Sequence, residues 1–378
     1  MLTEILKQLG FEPLKVDNSI FVNKTLPIVL ATHVDDILVF AKEVELVSSL
    51  YKKITTSTKL EVTNLGVIKE FLGVEIIRDR STKSLIITQR SFVNKILTKY
   101  NKTTNKPKEL PLPIGLKLEK NLEQSDLELT RKYQQELGSL IYLTIFTRPD
   151  LAYSINYLAR FMSNPSLDHY KYLNYVWSYL LQTKDLGLDL SLAKSVQSES
   201  KSYKNLINLV GISDSDWGGD IDSRKSTTGN LFALSNINNS STSNEKLVTI
   251  SWLSKLQKTV AISSAEAEYM ALKEATKESI YLQNYSSVPL SSVFNTLNAI
   301  KTDSLSALEL AKNPVYYARI KHVDITYHFV RESLSNKTID LQYKNTKTIL
   351  SDNLTKSTSL PKFKDFVARI GLTKTLGN

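Results

Sequence analysis

The stretch of residues 206–219 constrains the fold of this chain more than any other. Its apolar positions between 206 and 212 predict a short buried strand, and Gly218 and Gly219 mark where that strand ends. A carboxylate, Asp214, therefore falls where a buried strand reaches the surface. The core fixes such a strand while its last side chains meet solvent, so Asp214 is held rigidly.

Three further acids occupy comparable positions at predicted strand ends or helix starts: Glu266, Asp303 and Asp352. Convergence of four carboxylates costs repulsion unless divalent cations neutralise the charge. We therefore interpret the four acids as a candidate metal site of the kind that a metal-dependent nuclease uses.

Local alternatives exist for three of these acids. Ser263 and Glu266 have the spacing of a capping box, and spacing alone favours capping for Glu266. Asp303 precedes an apolar stretch and also suits an ordinary helix N-cap. Asp352 suits the first turn of a helix, where a carboxylate stabilises the helix dipole. These alternatives remain open from the residues alone.

Length and charge limit the class of protein. The chain has 378 residues, which suggests two or three domains, and a formal net charge of +10, which suits a polyanionic partner. Most of the excess lies in residues 78–120, which contain eleven Lys or Arg against three acids. A solvated basic face or a flexible linker is the alternative. The lack of cysteine excludes disulfides and fits a reducing compartment such as the cytoplasm.

Two adjacent acids near the amino terminus lie between apolar strands. Residues 28–34 and 37–41 predict the strands, and Asp35 and Asp36 lie between them. The pair is either the turn of a hairpin or a metal site, since adjacent carboxylates on a stiff hairpin can hold the ions that polymerases require.

The residues around this pair resemble a known family. Ala-Thr-His-Val-Asp-Asp-Ile-Leu-Val-Phe, residues 31–40, resembles the Tyr-Val-Asp-Asp hairpin of reverse transcriptases of copia-type long-terminal-repeat retrotransposons. Segments 69–76 and 89–97 are similar to the end of that family's palm and to its thumb. Segments 138–143, 147–152 and 158–162 are similar to the region joining its polymerase to ribonuclease H. The resemblance covers nearly the whole chain.

The four acids match motifs of the same family in the same order. Ile-Ser-Asp-Ser-Asp-Trp contains Asp214, and Ser-Ser-Ala-Glu-Ala-Glu-Tyr has Glu266 as its first Glu. Thr-Asp-Ser-Leu contains Asp303 in place of Cys-Asp-Asn-Gln, and Ser-Asp-Asn-Leu-Thr-Lys contains Asp352. The resemblance implies that Asp214 and Asp303 share two Mg²⁺ or Mn²⁺ ions, with Glu266 near the attacking water and Asp352 on the other ion. The resemblance thus favours a metal-ligand role for Glu266 over capping. It also implies that Asp303 ends a strand that lies beside the strand of Asp214 and runs parallel to it.

The resemblance also implies a fold. We expect a mixed α/β chain (α+β and α/β), in which a partial reverse-transcriptase palm and thumb precede a ribonuclease H-like mixed five-stranded sheet with flanking helices. The expected boundaries are 1–120 for the palm remnant and thumb, 121–204 for a connecting helical region and linker, and 205–378 for the ribonuclease H-like domain. Residues 236–246 form an expected surface insertion.

The expected activity is ribonuclease H-type, two-metal cleavage of RNA in an RNA/DNA hybrid. The basic residues expected to hold phosphates are Arg90, Lys95, Lys99, Arg224 and Lys225. We do not expect DNA polymerisation by this chain alone, since the family's third polymerase Asp has no counterpart in the 34 residues before Asp35. If so, Asp35 and Asp36 are an incomplete metal site.

Expected partners are nucleic acid, other Pol or Gag-derived proteins, or a second copy of the chain, and no membrane. Expected locations are the cytoplasm, a virus-like particle or the nucleus. The alternative function is a catalytically inactive transposon remnant that binds nucleic acid or a polymerase partner through its basic thumb.

Overall fold

A computed structural model describes residues 2–57, 61–191, 207–236, 246–285, 298–312 and 321–375. The helices, in chain order, are α1 (Leu2–Gln8), α2 (Val44–Ser57), α3 (Arg90–Lys99), α4 (Leu127–Phe146), α5 (Ala152–Ala159), α6 (Leu167–Gln182), α7 (Ser264–Asn284), α8 (Leu305–Lys312), α9 (Lys321–Ser335), α10 (Asp352–Thr355) and α11 (Leu360–Arg369). Most of the predicted linker before residue 205 and of the predicted insertion at 236–246 lies outside the described residues.

The strands, in chain order, are β1 (Phe11–Leu14), β2 (Asp17–Asn23), β3 (Ile28–His33), β4 (Asp36–Ala41), β5 (Glu70–Phe71), β6 (Val74–Asp79), β7 (Ser84–Thr88), β8 (Leu186–Asp189), β9 (Ile207–Ser215), β10 (Thr227–Asn236), β11 (Val248–Leu256), β12 (Asn298–Thr302), β13 (Ile339–Tyr343) and β14 (Leu372–Lys374). They form three sheets.

The first sheet is an antiparallel meander in the order β1-β2-β3-β4. Its buried side chains share one small core with helices α1 and α2, centred on Leu6, Phe21, Leu30 and Leu50. The two strands predicted around the paired acids are β3 and β4, so the hairpin is confirmed.

The second sheet has the order β14-β8-β7-β6-β5. Strands β5, β6 and β7 come from the predicted palm and thumb segment, β8 from the predicted connecting region, and β14 from the predicted ribonuclease H-like segment. One sheet therefore draws on all three predicted segments, and the domain boundaries remain a prediction. Helices α3 to α6 pack beside it in the largest core of the described residues, around Tyr133 and Trp177.

A buried ion pair ties the end of α4 to the end of α6. Arg148 donates from Nη2 to Asp150 Oδ2 at 2.7 Å, and both side chains are almost fully buried. Tyr179 donates its hydroxyl to the same carboxylate at 2.6 Å, and Arg148 also donates to the carbonyl of Thr183 at 3.1 Å. Each charge is thus paired and hydrogen-bonded, as burial requires.

The third sheet confirms the predicted mixed five-stranded sheet. Its order is β11-β10-β9-β12-β13, with β11, β10 and β9 antiparallel and with β12 parallel to both β9 and β13. Helices α7, α8 and α9 contribute to a core that includes Leu272, Ile300 and Leu341. Gly211 allows close packing inside the sheet, since a Cβ there would lie 2.7 Å from Cε1 of Phe232.

None of the described helices combines the length and the apolar character needed to cross a membrane.

We predict that Arg148→Met lowers the free energy of unfolding by about 3–5 kcal/mol, because it leaves the Asp150 carboxylate buried with no cation. Urea denaturation measures the change. The control is Lys171→Met, whose partner Asp168 lies at 4.0 Å on the exposed face of α6, and which should change stability by less than about 1 kcal/mol. Equal effects of the two substitutions would contradict this account of the buried pair.

Candidate metal centre

Two of the predicted acids lie at neighbouring strand ends. The parallel register pairs Val210 with Ala299 and Ile212 with Lys301. Two residues further along each strand, the chain reaches Asp214 and Asp303, so both carboxylates emerge at the same edge of the sheet. This confirms the predicted parallel arrangement of the two strands.

The capping alternative for Asp303 does not hold. Helix α8 begins at Leu305, and the residue whose side chain accepts a backbone hydrogen bond at its start is Ser304, from the N–H of Ala307 at 3.2 Å. Asp303, one residue earlier, is left for the carboxylate cluster.

The third carboxylate of the cluster comes from Glu268 on α7. Asp214, Glu268 and Asp303 each offer one oxygen, and these oxygens lie within 4.8 Å of one another. Within the described ranges this is the one group of three or more His, Cys, Asp or Glu side chains with such spacing. Three hard oxygen donors converging in this way suit Mg²⁺ or Mn²⁺.

A second observation supports the fit of a divalent cation. Oε2 of Glu268 is buried and has no hydrogen-bond partner within the described part of the chain. A buried polar atom without a partner costs free energy. A cation held between Glu268, Asp214 and Asp303 would supply the missing contact and offset the repulsion between them.

The predicted assignment of Glu266 to the cluster is not what the structure shows. Glu266 Oε2 accepts a hydrogen bond from the N–H of Ile262 at 2.8 Å, while Ser263 Oγ accepts one from the N–H of Glu266 at 3.2 Å. Ser263 is thus the N-cap of α7, and the Glu266 carboxylate accepts from the residue just before that cap, so both side chains serve the start of the helix, as the spacing favours. Glu266 therefore closes the start of α7, and Glu268 reaches the other carboxylates.

The burial pattern of α7 explains the difference. Ala271, Leu272 and Ala275 are buried against the sheet, and they follow Glu268 by three, four and seven residues. Residues at those spacings lie on one face of a helix, so Glu268 shares the face that packs toward β9. The apolar periodicity of α7 is therefore the sequence signal that places Glu268, among the acids of this helix, on the side facing the sheet.

Asp352 lies beside the cluster, at the start of α10. That helix comes close to the sheet because residue 229 is glycine: a Cβ there would lie 2.7 Å from Cγ2 of Thr355. Gly229 is the partner of Asp214 in the antiparallel register. Thr355 consequently donates its hydroxyl to Asp214 Oδ2 at 2.7 Å.

Two lysines pair with Asp352. Lys356 Nζ lies 2.7 Å from Oδ1, and Lys362 Nζ is in contact with Oδ2. Burial raises the pKa of Asp352, but the hydrogen bonds and charges of the two lysines outweigh burial and lower it. Burial likewise lowers the pKa of Lys356, and the surrounding carboxylates, Asp214 first among them, outweigh burial and raise it.

Burial is the main influence on the protonation of Asp214 and Glu268. Burial, followed by the charge of Asp352, raises the pKa of Asp214 to about 7, although Lys356 and the Thr355 hydroxyl oppose the rise. Burial, followed by the charges of Asp214 and Asp303, raises the pKa of Glu268 to about 9. Without metal, the cluster therefore retains protons near neutral pH that a bound divalent cation would displace.

Among the described residues, the two acids of the β3–β4 hairpin do not belong to a carboxylate cluster of this kind. Asp35 and Asp36 are exposed at the tip of the β3–β4 hairpin, where His33 faces Asp36 and Val34 has a left-handed φ of 52°. No third acid of the described residues joins them in a group with metal-ligand spacing.

The predicted phosphate-binding residues fall in two places. Lys95 and Lys99 are exposed on α3, whereas Arg90 at its start pairs with Asp185 at 2.9 Å. Arg224 and Lys225 lie near the end of the loop between β9 and β10, the loop that follows the strand carrying Asp214. Their role in binding remains a prediction.

Comparison with known proteins places the chain among retroelement proteins. The family described as "Reverse transcriptase (RNA-dependent DNA polymerase)" matches residues 1–114. The retrovirus-related Pol polyprotein from transposon TNT 1-94 of Nicotiana tabacum is 32% identical over 342 residues, covering 89% of this chain and 24% of the relative. The corresponding polyprotein from transposon RE1 of Arabidopsis thaliana is 31% identical over 378 residues, covering 99% of this chain and 24% of the relative.

Among solved structures, the foamy viral protease-reverse transcriptase in complex with RNA/DNA hybrid matches with 14% identity and a TM-score of 0.45, covering 84% of this chain and 36% of that one.

The sequence matches define a retroelement protein whose residues 1–114 match a reverse-transcriptase family. The chain belongs to the family of copia-type retrotransposon Pol polyproteins. It spans about a quarter of the length of those polyproteins.

We predict that the metal-free protein loses stability as pH rises from about 5 to about 9. In the unfolded chain both acids ionise near pH 4, whereas the fold keeps Asp214 and Glu268 protonated up to pKa values of about 7 and about 9. The stability that comes from keeping these two acids protonated is fully present below their unfolded pKa values. It is lost as the pH rises through their pKa values in the folded protein.

Melting temperatures measured in EDTA across this pH range test the prediction. Glu268→Gln cannot ionise and should lose less stability than the wild type, by on the order of a few kcal/mol at pH 9. Glu266→Gln should follow the wild type. Parallel curves for wild type and Glu268→Gln would show that burial of Glu268 does not control its protonation.

Proposed function

We propose that the part of the chain from residue 207 to 375 cleaves the RNA strand of an RNA/DNA hybrid with the help of Mg²⁺ or Mn²⁺. The observation that carries the proposal is the convergence of Asp214, Glu268 and Asp303, with Asp352 alongside, at one edge of the five-stranded sheet. Membership of the Pol family supports a nucleic-acid substrate.

Asp214, Glu268 and Asp303 would hold the metal, with Asp352 as a further ligand. When bound, two divalent ions at such a site lower the pKa of a water molecule and stabilise the departing 3′ oxygen. Asp214 is the most constrained ligand, because it lies within the central strand β9 and accepts the Thr355 hydroxyl. Its second oxygen is left for the metal.

Several side chains near the site suit a nucleic-acid backbone. Arg224 and Lys225 supply positive charge in the loop that follows β9. In the same loop Trp217 is 61% exposed, and its indole N–H donates to the carbonyl of Ala261 at 3.2 Å, which fixes the ring beside the start of α7. A fixed exposed ring can pack against sugars or bases of the substrate.

Selectivity for a hybrid would rest on groove shape and on contacts to 2′-hydroxyl groups, with no need to read base sequence. Phosphate contacts from lysine and arginine release counterions, so binding should weaken steeply with salt.

We predict that Glu268→Gln lowers cleavage of a labelled RNA/DNA hybrid by more than about a hundredfold, since even groups that merely support a metal ligand cost 10–100-fold when lost. Asp214→Asn should behave in the same way. Glu266→Gln is the matched control: it makes the same chemical change two residues away, and the amide oxygen of Gln can still accept the hydrogen bond from the N–H of Ile262. It should retain wild-type cleavage.

The reverse result, with Glu266→Gln inactive and Glu268→Gln active, would reinstate the assignment made from the sequence. Failure of the folded wild-type chain to cleave, combined with salt-sensitive binding of the hybrid, would support the inactive nucleic-acid-binding remnant instead.

A further inference from the structure

One cation of the chain already occupies the edge of the carboxylate cluster. Lys356 follows α10 directly, and its backbone N–H donates to the carbonyl of Asp352 at 3.1 Å, which fixes the start of its side chain. Its ammonium lies 2.7 Å from Asp352 Oδ1 and also interacts electrostatically with Asp214 and Asp303. One lysine thus neutralises charge on three of the acids that converge at the site.

The cluster needs such a cation. Asp214 and Asp352 are each at most 3% exposed, and the charges of Asp352, Asp214 and Asp303 oppose ionisation of their neighbours. Like charges at this spacing in a poorly solvated site repel strongly. An ammonium group is a compact charge on a flexible four-carbon stem, so it can approach the carboxylates or leave them while the backbone stays in place.

We propose that Lys356 is a built-in counter-cation: it neutralises the cluster in the absence of metal, and divalent ions must displace its ammonium in order to bind. This proposal rests on the proposed function, because it takes the cluster to be a metal site. Lys356 acts here as a positioning residue, since it acts through the carboxylates. Its charge sets how tightly the cluster binds metal.

The chain offers two matched controls for the same loss of charge. Lys362 also pairs with Asp352, but on the other oxygen, and its ammonium additionally contacts the backbone carbonyl of Thr346. Lys364 lies on the same helix as Lys362 and pairs with Glu109 at 2.7 Å in a largely exposed position.

The experiment compares Lys356→Met, Lys362→Met, Lys364→Met and Lys356→Arg with the wild type in the full chain, without nucleic acid. Calorimetry measures the Kd for Mn²⁺, and melting curves in EDTA measure the metal-free stability. We expect Lys356→Met to bind Mn²⁺ about tenfold more tightly, since removing a unit charge a few ångströms from a divalent ion changes its energy by more than the ~1.4 kcal/mol that a factor of ten represents. Its metal-free melting temperature should fall, and added Mn²⁺ should restore it.

Lys364→Met should leave the Kd unchanged, Lys362→Met should tighten it less than Lys356→Met, and Lys356→Arg should restore the wild-type value. If Lys356→Met does not fold without metal, Lys356→Gln serves in its place. An equal Kd for Lys356→Met and Lys364→Met, with the wild type binding Mn²⁺, would overturn the role of Lys356 and leave the proposed function intact. Absence of Mn²⁺ binding in every variant would overturn both.

Discussion

Repulsion between buried carboxylates is the constraint on which the part of the chain from residue 207 to 375 depends. Parallel pairing of β9 with β12 brings Asp214 and Asp303 to one edge, the buried face of α7 adds Glu268, and the close approach of α10 at Gly229 adds Asp352. A fold that buried these charges without compensation would be unstable. The chain compensates for them with protons, with the Thr355 hydroxyl and with two lysines, and a divalent cation would replace part of that compensation.

The sequence predicted those parts of the site that depend on local pattern and on strand order. Asp214 was identifiable because an apolar run ends beside it, and Asp303 because it follows the strand that pairs in parallel. The resemblance indicates Glu266, whereas the structure brings Glu268 to Asp214 and Asp303, as the capping spacing of Glu266 and the apolar periodicity of α7 together favour. Both acids lie in one turn, and only packing of α7 against β9 determines which of them reaches the other carboxylates.

Features that depend on contacts between distant segments could not be predicted from the sequence. The second sheet pairs β8 with β7, about a hundred residues earlier, and with β14, nearly two hundred residues later, and no local pattern encodes those pairings. The pairing of Lys362 with Asp352 is likewise set by how α11 packs. The mixed five-stranded sheet was predictable because its strand pattern follows a known family, whereas its junction with the preceding segments follows from tertiary packing.

Crystals of the protein containing Mn²⁺, measured for anomalous scattering, test the central claim most directly. We expect anomalous peaks within coordination distance of Asp214, Glu268 and Asp303, about 2.0–2.5 Å for carboxylate oxygens around such ions, with the ammonium of Lys356 moved away from Asp352. Peaks coordinated by Glu266, or Mn²⁺ bound elsewhere while the three carboxylates remain without metal, would contradict the account.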